Sequence, residues 1–330
     1  MADIKLKKII IGTLIGVIFI YLAFRRVNVS DMFHVFSKAN YFYVLIAIFL
    51  TFFSHLLRAL RWKYFLKYIK NISIKNLFFA LIIGYAANSF FPAHLGEFLR
   101  AYVLGKKYNI STSSTFASIV VERIVDVFTL TFLMALVVFI HPFPWWVVKS
   151  GYIMLASALG LLIVLIGFKH FEAQTTLVIL HLLKPLPEKI VSKLNSIILN
   201  FLSGVTPLKS FYHFIVVICL SVAIWLCYAS IYYICLKAFS FVSAYQLPWY
   251  ASLVVLVITT ISIVVPSSPG YVGTYHFLCQ ISLMVFGIPK TEALSFATFA
   301  HVINIFPVTL LGLIVANYEG ISIYHAEEKK

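Results

Sequence analysis

The chain has 330 residues, 62% of them hydrophobic and only 11% charged, with a formal net charge of +15. Its mean hydropathy is +0.98, whereas soluble domains average about 45–50% apolar and about 25% charged residues. A soluble globular fold and a disordered chain are both excluded, and at about 20 residues per crossing multiple membrane segments leave no room for a large soluble catalytic domain.

The expected fold is all-α, a polytopic integral membrane bundle forming a single transmembrane domain over residues 1–330. The basic residues flank apolar runs, which points to membrane topology and anionic lipid and not to nucleic acid. The first run, 9–24, follows Lys5, Lys7 and Lys8 and is closed by Arg25 and Arg26. No small-residue cleavage site follows it, so it reads as a retained first span. Gly12 and Gly16 give it a GxxxG spacing suited to close helix packing. Further apolar runs cover 41–57, 77–92, 115–140, 148–168, 211–236, 249–265, 271–287 and 292–316. They are apolar all round, unlike the faces of soluble surface helices.

Two runs break. The first passes through Asn88, Pro92 and Gly96; the second through Pro266, Ser267, Ser268, Pro269, Gly270 and Gly273. Irregular backbone at membrane depth is tolerated only where protein or a watery cavity satisfies it, and such half-helices mark substrate sites in transporters. Both breaks are therefore expected to line a cavity. The N–H groups of a half-helix starting near Gly96 would favour an anion. In the second break Pro269 suits a first helical turn, with Ser267 or Ser268 as its cap.

Treating the breaks as re-entrant hairpins of opposite orientation, one per half, gives the arrangement of an inverted repeat. It also places most of the 26 lysines and arginines on the cytoplasmic side, as the positive-inside rule requires. Both termini are then cytoplasmic in a multi-pass protein of the cytoplasmic membrane. Arg58 and Arg61 fall on the cytoplasmic side as interfacial anchors or headgroup contacts. Arg100 and Arg123 stay within the membrane. The halves are 1–168 and 211–330, joined by a polar connector, 169–210. In the connector Ile190, Leu194, Ile197, Ile198, Phe201 and Val205 recur at helical spacing. It is either a helix on the inner leaflet or a plain link.

The strongest chemical signal is Glu97, Arg100, Glu122, Arg123 and Asp126. Each charge at mid-bilayer costs about 2.5–3.5 kcal/mol, so these five must pair or reach water. Glu97 and Arg100 share one helix face, and Glu122 and Asp126 another. Two readings follow: an ion-pair lattice that fixes helix register, or a polar cavity that takes a charged headgroup, with Arg100 or Arg123 meeting a phosphate and Glu97, Glu122 and Asp126 balancing them or binding a cationic headgroup or a coupling proton. Tyr275 and His276 stand beside the second break as further candidate contacts, with His276 read either as a ligand contact or proton carrier or as a hydrogen-bonded packing histidine; His55, His94 and His301 read as packing residues. The four cysteines, Cys219, Cys227, Cys235 and Cys279, lie in apolar runs without metal spacing. No metal, cofactor or phosphate loop is expected.

Four stretches taken together resemble the lysylphosphatidylglycerol synthase transmembrane (flippase-like) family. They are Arg58-Ala-Leu-Arg61-Trp62; Asn88 to Pro92 with Gly96, Glu97 and Arg100; Ser118 with Glu122, Arg123 and Asp126; and Pro269-Gly270 with Gly273. The resemblance implies a membrane protein that binds or moves lipids. Its best-known members translocate aminoacylated phosphatidylglycerol, and others are linked to polyprenyl-phosphate sugars. The aminoacyl-transferase domain of some members is not expected here, because the chain ends soon after Ala316. Many relatives carry glutamate where this chain has His276. The expected activity is non-enzymatic lipid flipping or scrambling. Its substrates would be anionic or aminoacylated phospholipid or polyprenyl-phosphate lipid, and a homo-oligomer is compatible with it. The alternatives are a membrane transferase acting on a lipid-linked substrate and a non-catalytic envelope partner.

Overall fold

A computed structural model describes residues 17–25, 27, 29–91, 94–139, 145–171, 174, 187–204, 211–264 and 268–321. Among them every regular element is helical. The helices are α1 (Val29–Ser37), α2 (Tyr41–Leu66), α3 (Ile74–Phe90), α4 (Leu95–Tyr108), α5 (Thr112–Val138), α6 (Trp145–His170), α7 (Glu188–Gly204), α8 (Phe211–Ala238), α9 (Ala251–Val264), α10 (Thr274–Met284) and α11 (Lys290–Tyr318). Further helical stretches cover 17–24 and Phe241–Ala244. The protein is a multi-pass helical membrane protein. Tyr41–Leu66, Val147–Phe168, Phe211–Ala238 and Lys290–Tyr318 are each long and apolar enough to cross a bilayer. At 27 residues α5 is also long enough, since about 20 residues suffice, but it carries Glu122, Arg123 and Asp126 midway.

Both expected breaks are present. Helix α3 ends at Phe90 and α4 starts at Leu95, giving two short helices of 17 and 14 residues. They pack against each other because glycines face glycines. A Cβ on Gly96 would lie 1.9 Å from the Gly84 carbonyl oxygen, and one on Gly84 would lie 2.7 Å from that of Gly96. At the turn His94 adopts the left-handed region, with φ 56°. The Asn88 side chain accepts the Gly96 N–H at 2.8 Å, and the His94 carbonyl accepts that of Glu97 at 2.9 Å. Two N–H groups expected to await an anion are thus spent within the hairpin. Pro92 lies outside the described residues.

The second break separates α9 (14 residues) from α10 (11 residues) through a short 3-10 turn, Pro269–Tyr271. Pro269 opens that turn as expected. Ser268 does not cap it with its side chain; its hydroxyl instead donates to the Val272 carbonyl at 2.7 Å. Gly270 and Gly273 supply φ values of 65° and 92°, which a β-carbon would disfavour. Pro266 and Ser267 lie outside the described residues.

The tips of the two hairpins meet. The Tyr271 hydroxyl and His94 Nδ1 are 3.1 Å apart, and Gly270 lies against the Ser89 backbone. The polar connector contributes α7, which is seated on the N-terminal end of α5. The Ser114 hydroxyl donates to the Asn200 carbonyl at 2.5 Å, and Gly204 packs on the Ser114 backbone. Ile190 and Ile197 point outward, so the connector includes an amphipathic helix. The stretch 17–24 is fastened to the far half of the chain. Gln280 donates to the Ala23 carbonyl at 3.1 Å, and Lys290 donates to the Leu22 and Arg25 carbonyls at 3.2 and 2.8 Å.

Candidate functional site

Helices α2, α4 and α5 converge on one network of ionised side chains. Glu122 is its hub and is wholly buried. Its Oε1 accepts from Arg58 Nη2 at 2.5 Å and from Arg61 Nη2 at 3.4 Å, and its Oε2 accepts from Arg100 Nη2 at 3.2 Å. One turn later, Asp126 accepts from Arg61 at 2.6 Å, from Arg58 at 3.0 Å and from Arg123 at 3.2 Å. Arg123 Nε also lies 2.7 Å from Glu97 Oε1. Neutral partners complete the network: Arg58 Nη1 donates to the Tyr228 hydroxyl at 3.0 Å, and Arg61 Nη1 to the Ser221 hydroxyl at 2.9 Å. Removing Glu122 would leave Arg100 buried without a carboxylate, and removing Arg123 would leave Glu97 without an arginine, so the lattice fixes the helix positions.

The structure adds two members to the five-residue cluster. Arg58 and Arg61 are not interfacial anchors. Both are buried, and both bind the α5 carboxylates. The five-residue cluster carried a formal charge of −1; four arginines against three carboxylates make it +1. Glu97 and Arg100, although one turn apart, do not pair with each other. Each reaches across to α5.

A cavity of about 500 Å³ lies between the network and the two hairpin tips. Arg58, Glu97, Arg123 and Asp126 form its charged wall. Asn88, Ser89 and His94 come from the first hairpin, and Gly270, Tyr271 and Tyr275 from the second. His55, Trp225, Tyr228 and His301 also line it, so three of the histidines expected only to pack, His55, His94 and His301, face the cavity. Among the charged groups, Arg123 is the most open, with 35% of its side chain exposed. Arg61, Arg100 and Glu122 stand behind the wall. Arg100 lies over the Trp62 ring at 4.9 Å, beside a narrow cleft that Gly96 also lines. His276 is buried against His301, with ring centroids 4.7 Å apart. Its Nδ1 accepts the Gly273 N–H at 3.4 Å, which closes the turn into α10.

Seven interlocked charges beside paired helix breaks repeat, in three dimensions, the four stretches that the sequence presented in order. The family described as the lysylphosphatidylglycerol synthase TM region matches residues 9–312. The chain belongs to this family. A UPF0104 membrane protein of Methanocaldococcus jannaschii is 25% identical, with 95% of this chain and 96% of that protein covered. A UPF0104 membrane protein of Methanothermobacter thermautotrophicus is 36% identical over 104 residues, 31% of each chain. No solved structure matches the chain. Within this lysylphosphatidylglycerol synthase TM family member, sequence reasoning singled out Arg58 and Arg61 on α2 as anchors or headgroup contacts but missed that they join the charge network, and it missed Trp225 and Tyr228 on α8. The signal available for Arg58 and Arg61 was the unbalanced negative charge of the five-residue cluster. Trp225 and Tyr228 carried none, because they sit in a run that is apolar throughout.

Proposed function

We propose that this protein moves a charged lipid headgroup through the cavity between its two hairpins while the acyl chains remain in the bilayer. The observation that carries this reading is a cavity of about 500 Å³ with a partly open arginine, Arg123, on its wall. A charged group entering it would exchange water for fixed partners, which lowers the cost of carrying that charge across hydrocarbon. Arg123 and Arg58 act as headgroup contacts. Glu122, Asp126, Arg61 and Arg100 hold them in place, and Tyr275 and His301 contribute the opposite wall. The role is transport without chemical conversion, with membrane lipids as the partners. The protein sits in the cytoplasmic membrane with both termini inside, and the hairpins enter from opposite faces, so that their tips meet midway. Family membership and the meeting of His94 with Tyr271 support this arrangement.

The test is lipid translocation in proteoliposomes carrying headgroup-labelled phospholipids in both leaflets, read with an impermeant quencher. Wild-type protein is expected to expose label beyond the outer-leaflet fraction, and folded Arg123→Gln to lose most of that excess. A wild-type trace that matches empty liposomes for several headgroups would sink the proposal.

A further inference from the structure

The walls of the cavity differ in what they leave unpaired. Each carboxylate of the network already has an arginine within ion-pair distance, and Glu122 and Asp126 each have at least three. Among the described residues the buried polar atoms without a hydrogen bond are all nitrogens: those of Arg58, Arg61, Arg100 and Arg123 within the network, and those of Trp225 and His55 beside it. Trp225 is 5% exposed and His55 is 7% exposed, both line the cavity, and neither Trp225 Nε1 nor His55 Nδ1 has a hydrogen-bond partner. A buried polar group without a partner is costly and marks a place where a ligand or water belongs. An indole N–H can only donate, so what belongs at Trp225 is an acceptor.

These groups adjoin the arginines. The Trp225 and Tyr228 rings are 5.7 Å apart, and the Tyr228 hydroxyl accepts from Arg58, which leaves its own proton to donate. On the other side of Arg58, the His55 ring packs on Tyr85 at 4.6 Å, and the Arg58 guanidinium lies 5.8 Å from that same ring. Arg123 is held by Glu97 and Asp126 yet keeps 35% of its side chain open, and a guanidinium has five N–H donors to share. The surface is therefore rich in donors and holds no carboxylate without an arginine; the four charges that line it cancel, and the seven-residue network as a whole sums to +1.

We propose that the headgroup this cavity takes is an anionic oxyanion of the phosphodiester type, gripped by Arg123 and Arg58 with Trp225 Nε1 donating to one of its oxygens, and that a cationic, aminoacylated headgroup is rejected. This rests on the transport reading for the lipid nature of the ligand, but its charge preference follows from the network alone. A phosphodiester offers several acceptor oxygens to converging donors. An ammonium group would meet Arg123 first and find its counter-charges already taken.

The experiment is competitive binding to the purified full-length protein in detergent, read by native mass spectrometry. The probes are phosphatidylglycerol, lysylphosphatidylglycerol, phosphatidylcholine and water-soluble glycerol phosphate. Phosphatidylglycerol is expected to bind at least about tenfold more tightly than the lysyl and choline lipids. Arg123→Gln should weaken it about tenfold, while Arg123→Lys retains part of the preference. Trp225→Phe keeps the ring and removes only the donor, and is expected to weaken phosphatidylglycerol about threefold with phosphatidylcholine unchanged. Equal or tighter binding of the lysyl lipid, or indifference of phosphatidylglycerol to both Arg123→Gln and Trp225→Phe, would overturn the proposal. Glycerol phosphate competing as well as the lipid would support the oxyanion site and overturn its lipid source. Selective binding without translocation in liposomes would defeat the transport reading alone; translocation without charge selectivity would defeat this one alone.

Discussion

The break between α3 and α4 lies against four arginines and three carboxylates, whereas the break between α9 and α10 lies against tyrosine, threonine and histidine. On the first side the Glu122 and Asp126 carboxylates tie three helices through arginines. On the second, the Tyr232 hydroxyl meets Thr259 at 2.9 Å and Tyr275 at 3.0 Å, and His301 Nε2 meets the Gly270 carbonyl at 2.8 Å. Charged pairs removed from water are unforgiving: losing one partner leaves another stranded. Neutral hydrogen bonds exchange with water at a net value of about 0.5–1.5 kcal/mol each. The first hairpin is thus pinned by electrostatics and the second is held by interactions that can open and re-form at small cost. The second hairpin is therefore expected to yield before the first at the point where the tips touch.

The contrast can be broken most severely at Glu122. Glu122→Gln strands the buried Arg100 guanidinium and leaves Arg58 and Arg61 to share Asp126; it is expected to destabilise the protein by about 3–5 kcal/mol, read as a large loss of thermal stability in detergent. Next comes the glycine seam. Gly96→Ala places a Cβ where the Gly84 carbonyl already sits, and overpacking of this kind costs about 1–3 kcal/mol; protease resistance of the first hairpin should fall accordingly. On the neutral side, Tyr232→Phe removes one hydroxyl from a chain of three and is expected to cost about 1 kcal/mol. A cost as large as that of Glu122→Gln would erase the distinction between the hairpins. The smallest effect belongs to Lys107, whose ammonium lies 2.6 Å from Glu319 in a partly exposed pair. Lys107→Met should cost less than about 1 kcal/mol, and less still at high salt.

Much of this was legible in the sequence because membrane helices announce themselves by continuous apolarity. The helix breaks were legible too, since proline and glycine leave few alternatives. The pairing partners of the charges were not. Arg58 and Arg61 sit at the end of an apolar run, next to Lys63, Lys67 and Lys70, and an i,i+3 pair there reads equally well as headgroup anchors. Only the packing of α8 and α5 on α2 buries them. The same uniform apolarity that exposes a spanning helix also conceals which of its faces turns inward, so Trp225 and Tyr228 gave no periodic signal. His276 could be read from the sequence either as a ligand contact or as a hydrogen-bonded packing histidine, and its ring nitrogen accepts from the backbone of the glycine turn.

The bonds from Gln280 and Lys290 to the carbonyls of Leu22, Ala23 and Arg25 bear on how the molecule is assembled. The last carbonyls of a helix have no partners within it, and those of the first described helix find theirs up to 268 positions later in the chain. This segment, made before α10 and α11, therefore completes its hydrogen bonding only once they are in place. During insertion it must wait with that end unfinished until α10 and α11 arrive.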